Sequence, residues 1–206
     1  MKETLYSKRS NLVIGFHGCD KSLVEKILKG EEELTLSKND YDWLGHGIYF
    51  WENNEVRALQ YAKEMTLRKN TKVKDPAVLG AVIDLGYCMD LTDSFFLEEL
   101  KEAYEVLKES CKLVGTTIPK NESGGSSTDK LLRRLDCAVI QTAHRINDEI
   151  ENHPYDSVKG VFWEGNPLYP EAGFSEKNHI QICVRNPNCI KGYFRPRKIN
   201  ENFKNP

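Results

Sequence analysis

The stretch Trp43–Tyr61, WLGHGIYFWENNEVRALQY, leaves its backbone few choices. Gly45 and Gly47 bracket His46, so the chain there can take φ > 0 or approach a neighbour closely. Ile48, Tyr49 and Phe50 favour a strand. Asn53 or Asn54 can cap the helix that follows, with Glu55 in its first turn. Val56, Leu59 and Tyr61, with Ala58 and Ala62, predict the buried side of that helix. Tyr49 then stands between a strand and a helix, where pockets commonly form.

The chain has 206 residues, 39% hydrophobic and 29% charged, which suits one folded domain and excludes a disordered chain. No apolar run is long enough for a membrane span. The N-terminus, MKETLYSKRSN, has no apolar signal region, so a cytoplasmic protein is expected. Six cysteines occur without a CxxC pair, which predicts reduced, mostly buried thiols and no metal site. The net charge of −2 gives no overall attraction to nucleic acid. A local basic cluster, Arg185, Lys191, Arg195, Arg197, Lys198 and Lys204, reads as a solvated face.

Residues 1–10 are polar and read as loose. The run NLVIGFHG predicts a strand delivering His17 to its edge, followed by a helix, SLVEKILKG, capped by Asp20 or Ser22 and stopped at Gly30. A short strand is expected at LTLS, residues 34–37. Residues 66–76 read as a basic loop, and Ala77–Asp93 as a strand, a glycine break and a second strand. Two long helices are predicted, Ser94–Gly115 and Asp129–Glu151, joined by a Gly-Gly-Ser-Ser link. Residues 94–153 thus form a helical insertion within a single domain, 1–206. It can cap a site, hold an acceptor or bind an antitoxin-like partner. His144 and His153 read as structural. Strands return at Asp156–Trp163, His179–Val184 and Ile190–Phe194, with the loop EGNPLYPEAGFS between the first two.

The strand ending in His17-Gly18, the GHGIYF strand with its helix, and the HIQICV strand resemble, in order, the three motifs of the poly(ADP-ribose) polymerase-like branch of the ADP-ribosyltransferases. The resemblance covers roughly residues 11–92 and 156–196. It implies an α+β fold, two packed mixed β-sheets around an NAD cleft with the helical insertion. It implies mono-ADP-ribosyl transfer from NAD, as substrate, to a macromolecular acceptor, protein or nucleic acid, with no metal. By the same resemblance His17 holds the adenosine ribose and Gly18 the nicotinamide carboxamide. Tyr49 and Tyr61 clamp the nicotinamide ring, with Phe50 and Ala58 lining it. Arg57 stands where the family has a small hydroxyl residue, and Tyr61 lies one residue further from Tyr49 than usual. Gln181 occupies the position of the family's catalytic glutamate, and Glu164, Glu171 or Glu176 can supply the carboxylate instead. A non-catalytic NAD- or ADP-ribose-binding module and an NAD-dependent RNA 2'-phosphotransferase are the alternatives.

These residue types suit the chemistry. Cleaving the nicotinamide–ribose bond passes through an oxocarbenium-like state that a nearby carboxylate stabilises. Gln181 keeps a hydrogen bond there but lacks the charge, a deficit of about 1 kcal/mol. His179 lies two residues earlier on the same strand face and is expected to face the acceptor and take its proton. Trp163 and Tyr169 offer stacking to nucleic acid, while the overall acidity favours a protein acceptor.

Overall fold

A computed structural model describes residues 12–124, 129–150 and 153–204. The N-terminal segment 1–10 and the middle of the Gly-Gly-Ser-Ser link lie outside them. The elements are β1 (Leu12–Asp20), α1 (Lys21–Leu28), β2 (Ile48–Glu52), α2 (Glu55–Thr66), β3 (Pro76–Asp84), β4 (Cys88–Asp90) and α3 (Ser94–Leu113). They continue with β5 (Asn121–Glu122), β6 (Leu132–Arg133), α4 (Arg134–Glu149), β7 (Ser157–Phe162), β8 (His179–Val184) and β9 (Ile190–Phe194). The class is α+β. Hydrogen bonding joins seven strands into one mixed sheet, ordered β4-β7-β8-β2-β1-β3-β9, rather than the two sheets expected. The seam between the halves is short: β1 meets β2 only at Gly15–Glu52 and Phe16–Trp51, whereas β1 pairs with β3 along all of Leu12–Asp20. The β4–β7 pair is parallel and the remaining pairs of this sheet are antiparallel.

Strand alternation divides the core between the two faces. Ile48, Phe50, Ile182 and Val184 join Leu79, Ala81, Ile83 and the α1 residues Val24 and Ile27. The intervening Tyr49 and Cys183 join Val158 and Phe162, against Ala103 of α3 and Val139, Ile140 and Ala143 of α4. The helical insertion therefore closes one of the protein's two large cores. Its helices also carry the connection between the parallel strands β4 and β7, which need a crossover.

Local departures from the sequence reading have physical causes. LTLS forms no strand; only Ser37 bridges to Gly47, which ties the loop to the glycine turn. Of the two expected caps, Asn54 takes the position, its side chain accepting from the Arg57 N–H, in agreement with the sequence. On α2 the buried residues are Arg57, Ala58 and Ala62, and Val56 is exposed, because the helix lies on β1 and β3 with its Arg57 side inward. The last long helix starts at Arg134, five residues later than periodicity predicts. Leu132–Arg133 pair with Asn121–Glu122 instead, and the Asn121 side-chain oxygen Oδ1 accepts from the N–H groups of Leu135 and Asp136. The basic C-terminal residues do not act as one cluster: Arg185 donates to the Tyr155 carbonyl and Lys191 pairs with Asp84. Among the described residues no helix is long and apolar enough to cross a membrane.

His144 is buried on α4 with its ring 5.9 Å from that of Tyr155 and neither nitrogen bonded. Burial, then Arg185 and His46, pushes its pKa down to about 3. The unfolded chain takes up this proton near the ordinary value of 6.5. Below that pH the unfolded state holds more protons than the folded one, so stability is complete above it and falls as pH drops toward the folded value. His144→Phe should remove about 1.4 kcal/mol per pH unit of that slope between about pH 6 and pH 4. Urea denaturation across this range checks it; an unchanged slope means His144 is charged when folded.

Candidate functional site

The site starts where β1 and β2 part. The Asn53 N–H donates to the Ile14 carbonyl, and Phe16 pairs with Trp51, so alternate residues of β1 point their peptide groups at β2. The next such pair in this register would be Gly18 with Tyr49, and it is not formed. The Tyr49 carbonyl instead accepts from Nδ1 of His17 at 2.8 Å. That bond fixes the proton on Nδ1 and leaves Nε2 as the ring's other hydrogen-bonding atom. Burial holds the His17 pKa below its ordinary value, partly offset by this bond, so the ring is neutral. Gly18 is required for a second reason. A Cβ there would lie 2.1 Å from the Ala58 carbonyl, so α2 seats directly on β1 only because the strand has no side chain at that point.

Trp51 connects this gap to a second group of residues. It pairs across β2 and β8 with Gln181, and Gln181 pairs with Gly160 of β7. The Tyr61 ring lies 4.9 Å from Trp51, and the Arg57 guanidinium stacks 5.6 Å from it. The His179 ring lies 6.2 Å from Trp43, 6.3 Å from Trp51 and 5.8 Å from Phe162. Glu164, just past β7, reaches in to Arg57, Oε2 to Nη2 at 2.8 Å. Lys177 adds contacts of 3.0 Å to Glu64 and 3.6 Å to Glu164. Arg57 and Glu164 have only 4% and 9% of their side chains exposed, so this is an interior ion pair.

The group is polar, buried and incompletely bonded. Trp51 Nε1, Arg57 Nε and Nη1, His179 Nε2 and Gln181 Oε1 are all buried without a hydrogen-bond partner. Buried polar atoms are nearly always paired, so these orphans call for partners from outside the chain, ordered water or a ligand. Three atoms donate (Trp51 Nε1, Arg57 Nε and Nη1) and one accepts (Gln181 Oε1). His179 accepts too, because its Nδ1 gives its proton to the Lys177 carbonyl.

The residues expected from sequence are distributed as follows. Tyr61, Gln181 and His179 come together around Trp51. His17 and Gly18 line the adjoining gap. Tyr49 has its hydroxyl engaged: it donates to the Gly45 carbonyl and accepts from the Leu44 N–H, which locks the glycine turn. Phe50 is fully buried and belongs to the opposite core. Ala58 is likewise fully buried, and its part is to let α2 approach β1. Of the three loop glutamates, Glu164 is in the group; Glu171 and Glu176 are exposed, and Glu176 accepts from Asn166 of its own loop. Sequence reasoning missed Trp51 and Lys177, and read Arg57 only as a departure. An arginine amid the alanines of an otherwise buried helix face was the available signal.

A mostly apolar cleft of about 560 Å³ adjoins this group, between α3 and α4, and shares Trp43 and Phe162 with it. Arg133 closes one end, stacked 4.3 Å from Trp43 and 4.8 Å from Phe162. Among the described residues no three His, Cys, Asp or Glu side chains gather to hold a metal. Burial pushes Cys137 up to about 11 and Cys183 higher still, which removes these two thiols as nucleophiles at neutral pH.

No protein-family model matches the chain, and no solved structure matches it significantly. A protein of Methanocaldococcus jannaschii, itself described as uncharacterized, is 29% identical over 195 residues, which span 85% of this chain and 83% of that protein. The likeness runs through most of both chains.

The interior ion pair sets a stability test. Glu164→Leu alone leaves Arg57 buried beside a weaker partner and should cost about 3 kcal/mol or more, while Arg57→Met with Glu164→Leu should recover most of it. Urea denaturation of the singles and the double decides; a single-mutant cost below about 1 kcal/mol would show that water reaches the pair.

Proposed function

We propose that the chain binds NAD and transfers its ADP-ribose to a macromolecular acceptor, the reaction that the resemblance of its three motifs implies. One observation carries this reading: the β1–β2 ladder stops one hydrogen-bonding pair early, at Gly18. The peptide N–H and C=O of that residue then face a gap, beside an imidazole whose Nδ1 already bonds the Tyr49 carbonyl. A carboxamide carries one acceptor and two donors, so it satisfies both peptide groups at once. The unmet atoms around Trp51 add the complement of a ribose phosphate. Sugar hydroxyls donate to Gln181 Oε1, and phosphate oxygens accept from Arg57.

The carboxylate that stabilises the oxocarbenium-like state is Glu164, with Gln181 bonding the ribose. Arg57 and Lys177 both pair with Glu164, and their charges are balanced by Glu64 and Glu164.

NAD labelled in its adenylate half, incubated with the protein and a cell lysate, should label a macromolecule. Separate protease and nuclease digestion then identifies the acceptor class. His17→Ala should weaken NAD binding about tenfold, the loss of roughly one hydrogen bond. Glu164→Gln should slow transfer by about tenfold or more, and by more than Gln181→Ala does. NAD bound tightly with no label on any macromolecule would leave a binding module instead; no NAD binding would end both.

A further inference from the structure

We propose that the acceptor in this reaction is a hydroxyl group and that His179 takes its proton. The proposal rests on the transfer reading above and adds the chemical class of the acceptor.

The geometry around His179 is that of a fixed base. The residue is 5% exposed on β8, and the Trp43, Trp51 and Phe162 rings surround its imidazole. Nδ1 lies 2.5 Å from the Lys177 carbonyl oxygen. A carbonyl only accepts, so the proton of the neutral ring sits on Nδ1 and the lone pair on Nε2. Nε2 has no partner. The carbonyl it depends on is itself held in place. The Lys177 N–H donates to the Glu164 carbonyl, and the Lys177 ammonium pairs with Glu64 and Glu164. Three charged groups face the ring: Arg57 from α2, Arg133 from the start of α4 and Glu164 from the loop after β7. Burial is the largest influence and both arginines act with it, so the ring is a free base at neutral pH despite Glu164 and the carbonyl.

The kinds of acceptor differ in what they need from such a base. A carboxylate acceptor is already ionised at neutral pH and attacks without help. A hydroxyl is not, and must lose its proton as the new bond forms, a step that a positioned base accelerates about 10²–10⁴-fold. A buried imidazole with a locked tautomer contributes to the second case and nothing to the first. In the step, the acceptor oxygen bonds the ribose carbon while the carbon–nitrogen bond to nicotinamide breaks. The bonding pair leaves with nicotinamide, and the hydroxyl proton passes to Nε2. The imidazolium keeps its Nδ1 proton on Lys177 and later releases the other to water. The balance is NAD and an alcohol giving the O-linked ADP-ribosyl glycoside, nicotinamide and one proton.

The labelled product is treated with neutral hydroxylamine, which cleaves a carboxylate ester and spares an O-glycosidic linkage to a hydroxyl. Most of the label should survive. His179→Asn keeps a donor for the Lys177 carbonyl but has no base at the Nε2 position. It should lower kcat by about 100-fold or more with KM for NAD within about twofold, and abolish the acid limb of the pH profile. Thermal melting confirms that the variant folds. If it does not, His179→Gln takes its place, and the wild-type profile must still lose activity as His179 protonates. Hydroxylamine-labile label, or a folded variant with unchanged kcat, overturns the hydroxyl proposal while leaving the transfer reading intact. A wild-type protein that consumes no NAD overturns both.

Discussion

The early end of the β1–β2 ladder is the constraint on which the rest of the site depends. Continuing the register would pair Gly18 with Tyr49 and close the sheet. Two features prevent this. The His17 side chain takes the Tyr49 carbonyl, and the glycine turn before β2, held by the Tyr49 hydroxyl, directs the incoming chain elsewhere. The Tyr49 carbonyl thus exchanges a backbone partner for a side-chain one, while the Gly18 peptide is left facing the split. The consequence is a gap in the middle of the sheet, where strands on either side are rigid. Rigid flanks hold a ligand more accurately than loops do.

Burial of Arg57 is the second decision of the fold. An arginine facing the sheet is tolerated because Glu164 meets it and Trp51 offers its ring face. The same contacts draw the loop after β7 back over the sheet, since Glu164 and Lys177 stand at its two ends and are bonded to each other through the backbone. Loop, helix and strand are thereby tied at one point. His179 gains its fixed tautomer from this arrangement, through the Lys177 carbonyl.

Much of this was legible in the chain. The strands bearing His17, Tyr49 and Gln181, a cap at Asp20 or Ser22 and another at Asn53 or Asn54, and both long helices follow from periodicity and capping chemistry, which act over a few residues; the fold selects Asp20 and Asn54. The roles within the site were less legible. Tyr49 and Phe50 are adjacent in the strand, yet one braces a turn and the other fills a core, because alternation sends them to opposite faces. Val56 and Arg57 exchange the places expected from hydropathy, since the partner that makes Arg57 tolerable lies 107 residues away.

The sequence by itself determined most of the elements, their order, and the placement of His17-Gly18 on one strand and His179 and Gln181 on one face of another; β1 runs past Gly18 to Asp20 because it pairs with β3 throughout. These depend on local periodicity, on glycine's freedom and on short-range capping. Only the tertiary structure decided which glutamate stands in the site, which ring nitrogen of His179 is free, and where the sheet opens. Each of those is fixed by a contact between residues far apart in the chain: Arg57 with Glu164, His17 with Tyr49, and Trp51 with Gln181. Such pairings arise only when the sheet has formed and the buried polar atoms have been forced to find partners.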